Sequence, residues 1–164
     1  MQVRLLPGAY NPSMANFNKT IYALIIFVIV LIGMGQAQIF ESGDAEKKLI
    51  YFKDNSFIVE VAKTKQQQEK GLMFVKSMPS NSGMLFIYQD QAPRAFYMKN
   101  TYIPLDIIWM DKDKRVVFIR KNAKPGNPDV YETIHPQEEA MYVLELNAGS
   151  TDEIGLRLGD RLEF

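Results

Sequence analysis

The punctuation of the chain after residue 50 constrains its fold most. Short apolar runs recur there, separated by turn and loop signals. Residues 57–62 (FIVEVA), 84–88 (MLFIY), 105–110 (LDIIWM), 116–120 (VVFIR) and 140–146 (AMYVLEL) read as strands. Residues 49–52 open the series and residues 161–164 close it. Two helices fit between them. One covers residues 65–70, with Thr64 as candidate N-cap and Gly71 as its stop. The other starts at Ser150, forms a capping box with Glu153 and runs to about Leu158. Six to seven short strands with one or two short helices predict a mainly β chain, a β-rich α+β domain. Its expected form is a small antiparallel barrel or sandwich.

The connections carry their own signals. Asp111-Lys112-Asp113-Lys114 is a charged turn that makes a hairpin of its flanking strands. Residues 79–83 are a loop and residues 89–93 a turn. Leu72, Met73 and Phe74 are expected in the core. Residues 122–136 hold Pro125, Pro128 and Pro136 and read as a long loop with a short strand near 130–134. In residues 140–146 the alternation puts Met141, Val143 and Glu145 on one face. Tyr142, Leu144 and Leu146 take the other.

Residues 96–106 (FYMKNTYIPLD) break this regular pattern. Phe96 and Met98 share one strand face, Tyr97 and Lys99 the other. Asn100 and Thr101 then interrupt the strand with side chains that bond local backbone. Pro104 removes a ladder donor and keeps Ile103 extended. A strand, a shaped corner and a second strand result, with Lys99, Asn100, Thr101 and Asp106 as candidate binding residues near the corner.

The N-terminal segment differs in kind. Residues 21–32 (IYALIIFVIVLI) are continuously apolar, preceded by Lys19 and followed by the small residues Gly35 and Ala37. These are the parts of a secretory signal peptide, and the run is shorter than the roughly 20 residues a spanning helix needs. Residues 1–37 are expected to be a signal peptide cleaved after Ala37. The alternative is an N-terminal anchor, with residues 20–36 in the membrane. Met1 and Met14 are both candidate starts. Residues 38–50 form a linker and residues 51–164 one β-rich domain. Export to the periplasm or beyond follows in either case, and the membrane is met only through the N-terminal segment.

Composition narrows the chemistry. The 164 residues carry no net charge, so there is no basic footprint for nucleic acid. Removing residues 1–37 leaves seventeen basic and nineteen acidic residues, a charge of −2. With no cysteine, disulfides and thiol chemistry are excluded. A single histidine, His135, excludes a multi-histidine metal site within one chain. Met73, Met84, Met98 and Met110 have apolar neighbours and read as core rather than as thioether ligands. No nucleophile, phosphate-loop or zinc motif is present, and no cofactor is expected.

Gly71-Leu72-Met73, Gly83-Met84-Leu85-Phe86, Phe96-Tyr97-Met98-Lys99-Asn100-Thr101, Ile103-Pro104-Leu105-Asp106, Tyr142-Val143-Leu144-Glu145-Leu146 with Gly149, and Gly159-Asp160 stand in one order. In that order the chain resembles the domain-of-unknown-function family numbered 192, from about residue 57 to 164. The combination of MKNT, IPLD and VLEL carries the resemblance. One departure is Tyr97, where that family usually has Trp. The resemblance implies a small β-rich fold and export, and it implies no activity.

Two functions remain open. One is a non-catalytic exported domain that binds a small ligand, a glycan or an envelope protein at the corner and the 122–136 loop. The other is an enzyme of unidentified class with Lys99, Asp106 and Glu145 in an acid–base cleft. Glu145, inside an apolar strand, needs a partner such as Lys99 or Arg94 if it faces inward. Convergence of Lys99, Asp106 and Glu145 in one pocket would favour the enzyme.

Overall fold

The structure, a computed structural model, describes residues 45–164. The expected signal peptide or anchor at residues 1–37 lies outside the described residues, as does most of the linker. Among the described residues no helix is long and apolar enough to cross a membrane.

Among the described residues eight strands and two short helices follow one another: β1 (Lys47–Phe52), β2 (Asn55–Ala62), α1 (Lys65–Lys70), β3 (Ser82–Pro93), β4 (Phe96–Tyr97), β5 (Leu105–Met110), β6 (Val116–Ala123), β7 (Thr133–Ile134), β8 (Glu139–Asn147) and α2 (Ser150–Glu153). Strand β1 takes in residues expected at the end of the linker. Six strands form one sheet in the order β1-β2-β3-β8-β5-β6, and β4 pairs with β7 in a separate two-stranded sheet.

One pairing departs from the antiparallel expectation, because β2 and β3 run parallel. Parallel neighbours need a crossover, and α1 lies on it. Its N-cap is the expected Thr64, and Gln67 completes a capping box: Thr64 Oγ1 accepts from the Gln67 N–H at 3.2 Å, and Gln67 Oε1 accepts from the Thr64 N–H at 3.0 Å. Residues 89–93 also differ from expectation. They continue β3 instead of turning, past a register shift against β8 between Ile87 and Ala92.

The sheet is buried on both faces, and strand alternation assigns each residue to a side. On β5, Leu105, Ile107 and Trp109 join Phe86, Val143, Phe96 and Met98 in the first core cluster. Ile108 and Met110 join Leu85, Leu144, Leu146, Ile50 and Leu162 in the second. Met98 and Met110 therefore lie in different layers, each packed as core. Trp109 is clamped edge-on by Phe96 and Phe118, both at 5.4 Å between ring centroids, and its Nε1–H donates to Arg94 O at 2.8 Å.

Residues 160–164 close the second layer without forming a regular strand. Tyr51 and Glu163 exchange two backbone bonds of 2.8 and 3.0 Å, and Leu162 N–H donates to Lys114 O at 3.1 Å. These are isolated bridges rather than a continuous ladder. The fold is thus sandwich-like and not a closed barrel.

Candidate functional site

The site begins with register. On β8, Glu145 pairs with Met84 of β3 and Ile107 of β5, so its side chain leaves the sheet between two apolar neighbours. Leu72, which follows α1, and Met98 of the corner pack in the same layer. Glu145 is 5% exposed, and its Oε2 is buried without a hydrogen-bond partner. Burial alone pushes its carboxyl from the ordinary 4.5 up to about 8. The partner expected from Lys99 or Arg94 is not there. Arg94 Nη2 bonds Asp90 Oδ1 and Asp90 O, each at 2.7 Å, and its guanidinium lies 4.1 Å from the Tyr88 ring centroid.

Glu145 is reached from an open cleft that encloses about 370 Å³ of non-atom space, open solvent included. Phe86, Tyr88, Phe96, Tyr97 and Thr101 line it with Glu145, and the last turn of α1 forms the rim. Tyr88 follows Met84 and Phe86 along the same face of β3. Its hydroxyl is pushed up to about 12, first by burial; Arg94 works against that, and Glu145 and Tyr97 add to it. Tyr97 donates its hydroxyl to Glu69 O at 3.1 Å, which latches β4 to the end of α1. Gly71 turns the chain over Phe86 with φ +47, and a Cβ there would meet Phe86 Cζ at 3.3 Å.

The corner contributes Thr101 to this cleft. Thr101 is buried, and its hydroxyl donates to Lys99 O over a long 3.4 Å. Lys99 and Asn100 are not among the cleft-lining residues. Lys99 Nζ lies 5.8 Å from the centroid of the Tyr131 ring. Asn100 departs from the expectation that its side chain bonds local backbone. It adopts φ +54, and its Oδ1 is buried with no partner. Its carbonyl accepts from the Phe74 N–H at 2.8 Å. Phe74 is itself held at φ +67 and is 57% exposed, not dropped into the core as expected.

Asp106 belongs to the opposite layer. It pairs with Leu146, one residue out of phase with Glu145 and Ile107, and alternation sends it to the other face. There it is 0% exposed and its carboxylate is fully used. Oδ1 accepts from Asn122 N–H at 2.9 Å. Oδ2 accepts from Gly149 N–H at 3.1 Å, Thr151 N–H at 2.9 Å and Thr151 Oγ1 at 2.7 Å. It therefore does the capping expected of Ser150 and Glu153. Gly149 is the N-cap of α2, no side chain of the helix caps it, and the helix ends at Glu153 rather than near Leu158. Lys99, Asp106 and Glu145 do not converge.

His135 is exposed, and Asp111 accepts from the N–H groups of Asp113 and Arg115 at the hairpin tip. Among the described residues no group of three or more His, Asp or Glu side chains could hold a metal ion. Sequence reasoning named Arg94 as a possible partner of Glu145 but missed Tyr88, which stands between them as a neighbour of both. Its signal was the shared parity of Met84, Phe86 and Tyr88, which has meaning only once β3 is known to lie beside β8.

A family model, DUF192 (Uncharacterized ACR), matches residues 49–164. Two solved structures are similar. One is a putative transcription regulator from Sinorhizobium meliloti 1021, at 35% identity and TM-score 0.66, covering 73% of this chain and 94% of that one. The other is a protein of unknown function from Novosphingobium aromaticivorans DSM 12444, at 29% identity and TM-score 0.67, covering 77% and 91%. Among curated proteins none matches.

Proposed function

The chain belongs to the DUF192 family, and from that premise we propose that it is an exported, non-catalytic binding domain. It takes a small ligand, or a side chain of an envelope partner, into the cleft at Glu145. One observation carries the reading: a buried carboxyl oxygen without a partner stands in a cleft that four aromatic residues help to line. An unmet buried acceptor costs roughly 1–3 kcal/mol, which a ligand donor recovers on binding. Thr101 supplies a second polar contact.

Catalysis has less support. The acid–base reading needed Lys99 and Asp106 beside Glu145, and Asp106 spends its carboxylate on backbone in the other layer. The description of the Sinorhizobium relative as a putative transcription regulator gains no support from net charge, since this chain carries no basic excess. Export rests on the apolar run at residues 21–32 and its flanks.

The test is an amide-shift screen of the isotope-labelled chain against amino acids, short peptides, mono- and disaccharides and nucleosides. A ligand of this cleft moves the resonances of Gly71, Thr101 and Glu145 together and is recovered unchanged. A panel that leaves all three still refutes the site. A compound converted by the wild type and spared by Glu145→Gln restores the enzyme.

A further inference from the structure

The lining of the cleft narrows the ligand further, if the binding reading holds. We infer that the group seated on Glu145 is a primary ammonium, with the rings of Phe86, Tyr88, Phe96 and Tyr97 as the walls around it. Three observations converge. The unpartnered atom at the base is a carboxyl oxygen, which accepts from a ligand donor once the carboxyl is ionised. Four of the lining residues are aromatic, and ring faces attract a cation. The guanidinium that might have neutralised Glu145 is instead held over Tyr88 and bonded to Asp90, which leaves the position beside Glu145 to an incoming cation. An anionic ligand would meet the carboxyl itself. A neutral amide would satisfy the oxygen but gain little from the rings.

Seating an ammonium requires the carboxylate. Glu145 gives up its proton to solvent as the cation enters, and one cation replaces one proton with no bond made to carbon. The titratable and charged groups around it are Tyr88 on β3, Tyr97 on β4, Glu69 and the exposed Lys70 at the rim of α1, and Arg94 after β3. His135, the one histidine of the chain, is not among the lining residues. Affinity therefore falls about fivefold from pH 8 to 7 and about tenfold for each pH unit below that, and levels off above about pH 9, while an alkylammonium keeps its charge to about pH 10.

Four probes test this on the full chain in mild non-ionic detergent. They are n-butylammonium, Nα-acetyl-lysine methylamide, its neutral norleucine counterpart and Nα-acetyl-glutamine methylamide. Readouts are the amides of Gly71, Thr101 and Glu145 and the side-chain carboxyl carbon of Glu145. One or both ammonium probes should move them, with the carboxyl carbon shifting to its ionised position at pH 7 and about fivefold tighter binding at pH 8 than at pH 7. Response to butylammonium marks a free amine as ligand; response to the lysine probe alone marks a lysine side chain of a partner. Glu145→Gln should abolish the response, and the wild-type pH profile stands without that variant. Binding of the glutamine probe alone, or ammonium binding that is flat from pH 6 to 8, overturns the ammonium and leaves the cleft a binding site. Four silent probes beside a responsive compound without an ammonium, such as a saccharide or nucleoside of the wider panel, overturn the ammonium alone. Silence in both sets overturns both readings.

Discussion

Replacing Glu145 by Gln should make the domain more stable in alkaline solution than the wild type, the reverse of the usual effect of changing a buried residue. In the unfolded chain this carboxyl ionises near its ordinary 4.5, and in the fold near 8. The folded-state value is the higher one, so the stabilisation is complete below about pH 4.5. It is lost as the pH rises toward 8, because the unfolded chain sheds a proton that the fold retains. At about 1.4 kcal/mol per unit, the interval amounts to about 5 kcal/mol. That is a large share of the roughly 5–15 kcal/mol that holds a domain together. Gln has nearly the shape of the protonated acid and no ionisation. Urea unfolding at one-unit steps from pH 5 to 9 would follow Trp109, the single tryptophan, buried in the same layer as Glu145. The two proteins should agree to within about 1–2 kcal/mol at pH 5. The variant should lead by several kcal/mol at pH 9. Parallel stability curves across the range would mean that Glu145 ionises normally in the fold, and the account of its site would fail.

Three other substitutions read the opposite layer and the corner. Asp106→Asn turns an amide donor toward the N–H groups of Gly149 and Thr151 and should cost about 3 kcal/mol, with faster hydrogen exchange at Thr151; an unchanged urea midpoint contradicts it. Asn100→Ala should cost about 1 kcal/mol because its backbone is left-handed, and Asn100→Gly close to nothing. Equal losses would reinstate the side-chain-to-backbone bonds that the sequence suggested. Phe74→Asn should leave stability level or raise it by up to about 1 kcal/mol, since a bulky residue at φ +67 is strained and its side chain is exposed, with the Tyr102 ring edge-on at 6.1 Å. A midpoint lowered by more than that amount would show that the exposed ring holds the fold together.

What was legible in the sequence was local. Thr64 as the N-cap of α1 bonds a residue three positions on, and the hairpin tip at Asp111 bonds its own neighbours. The alternation of β8 correctly put Val143 with Glu145 and Leu144 with Leu146. What failed depended on strands meeting. Ser150 and Glu153 match a capping pattern, yet the cap arrives from Asp106, over forty positions upstream. Asp106 looked like a neighbour of Lys99, and a single step of strand phase sent it through the sheet. The bulge that carries β3 past Ile87 is dictated by its partner β8, so residues 89–93 look like a turn when read alone. Glu145 was visible as an anomaly in an apolar run. The absence of a partner became visible only with Arg94 placed over Tyr88.

The bridge between Tyr51 and Glu163 also orders events in time. It joins the first strand of the sheet to a segment synthesised at the far end of the domain, and the loop it closes spans nearly all of β1 to α2. Closing a loop of that size comes late in folding, since its entropy must be met before the contact repays it. Until Leu162 and Glu163 have left the ribosome, Tyr51 and Lys114 hold open backbone groups and the second layer lacks its lid.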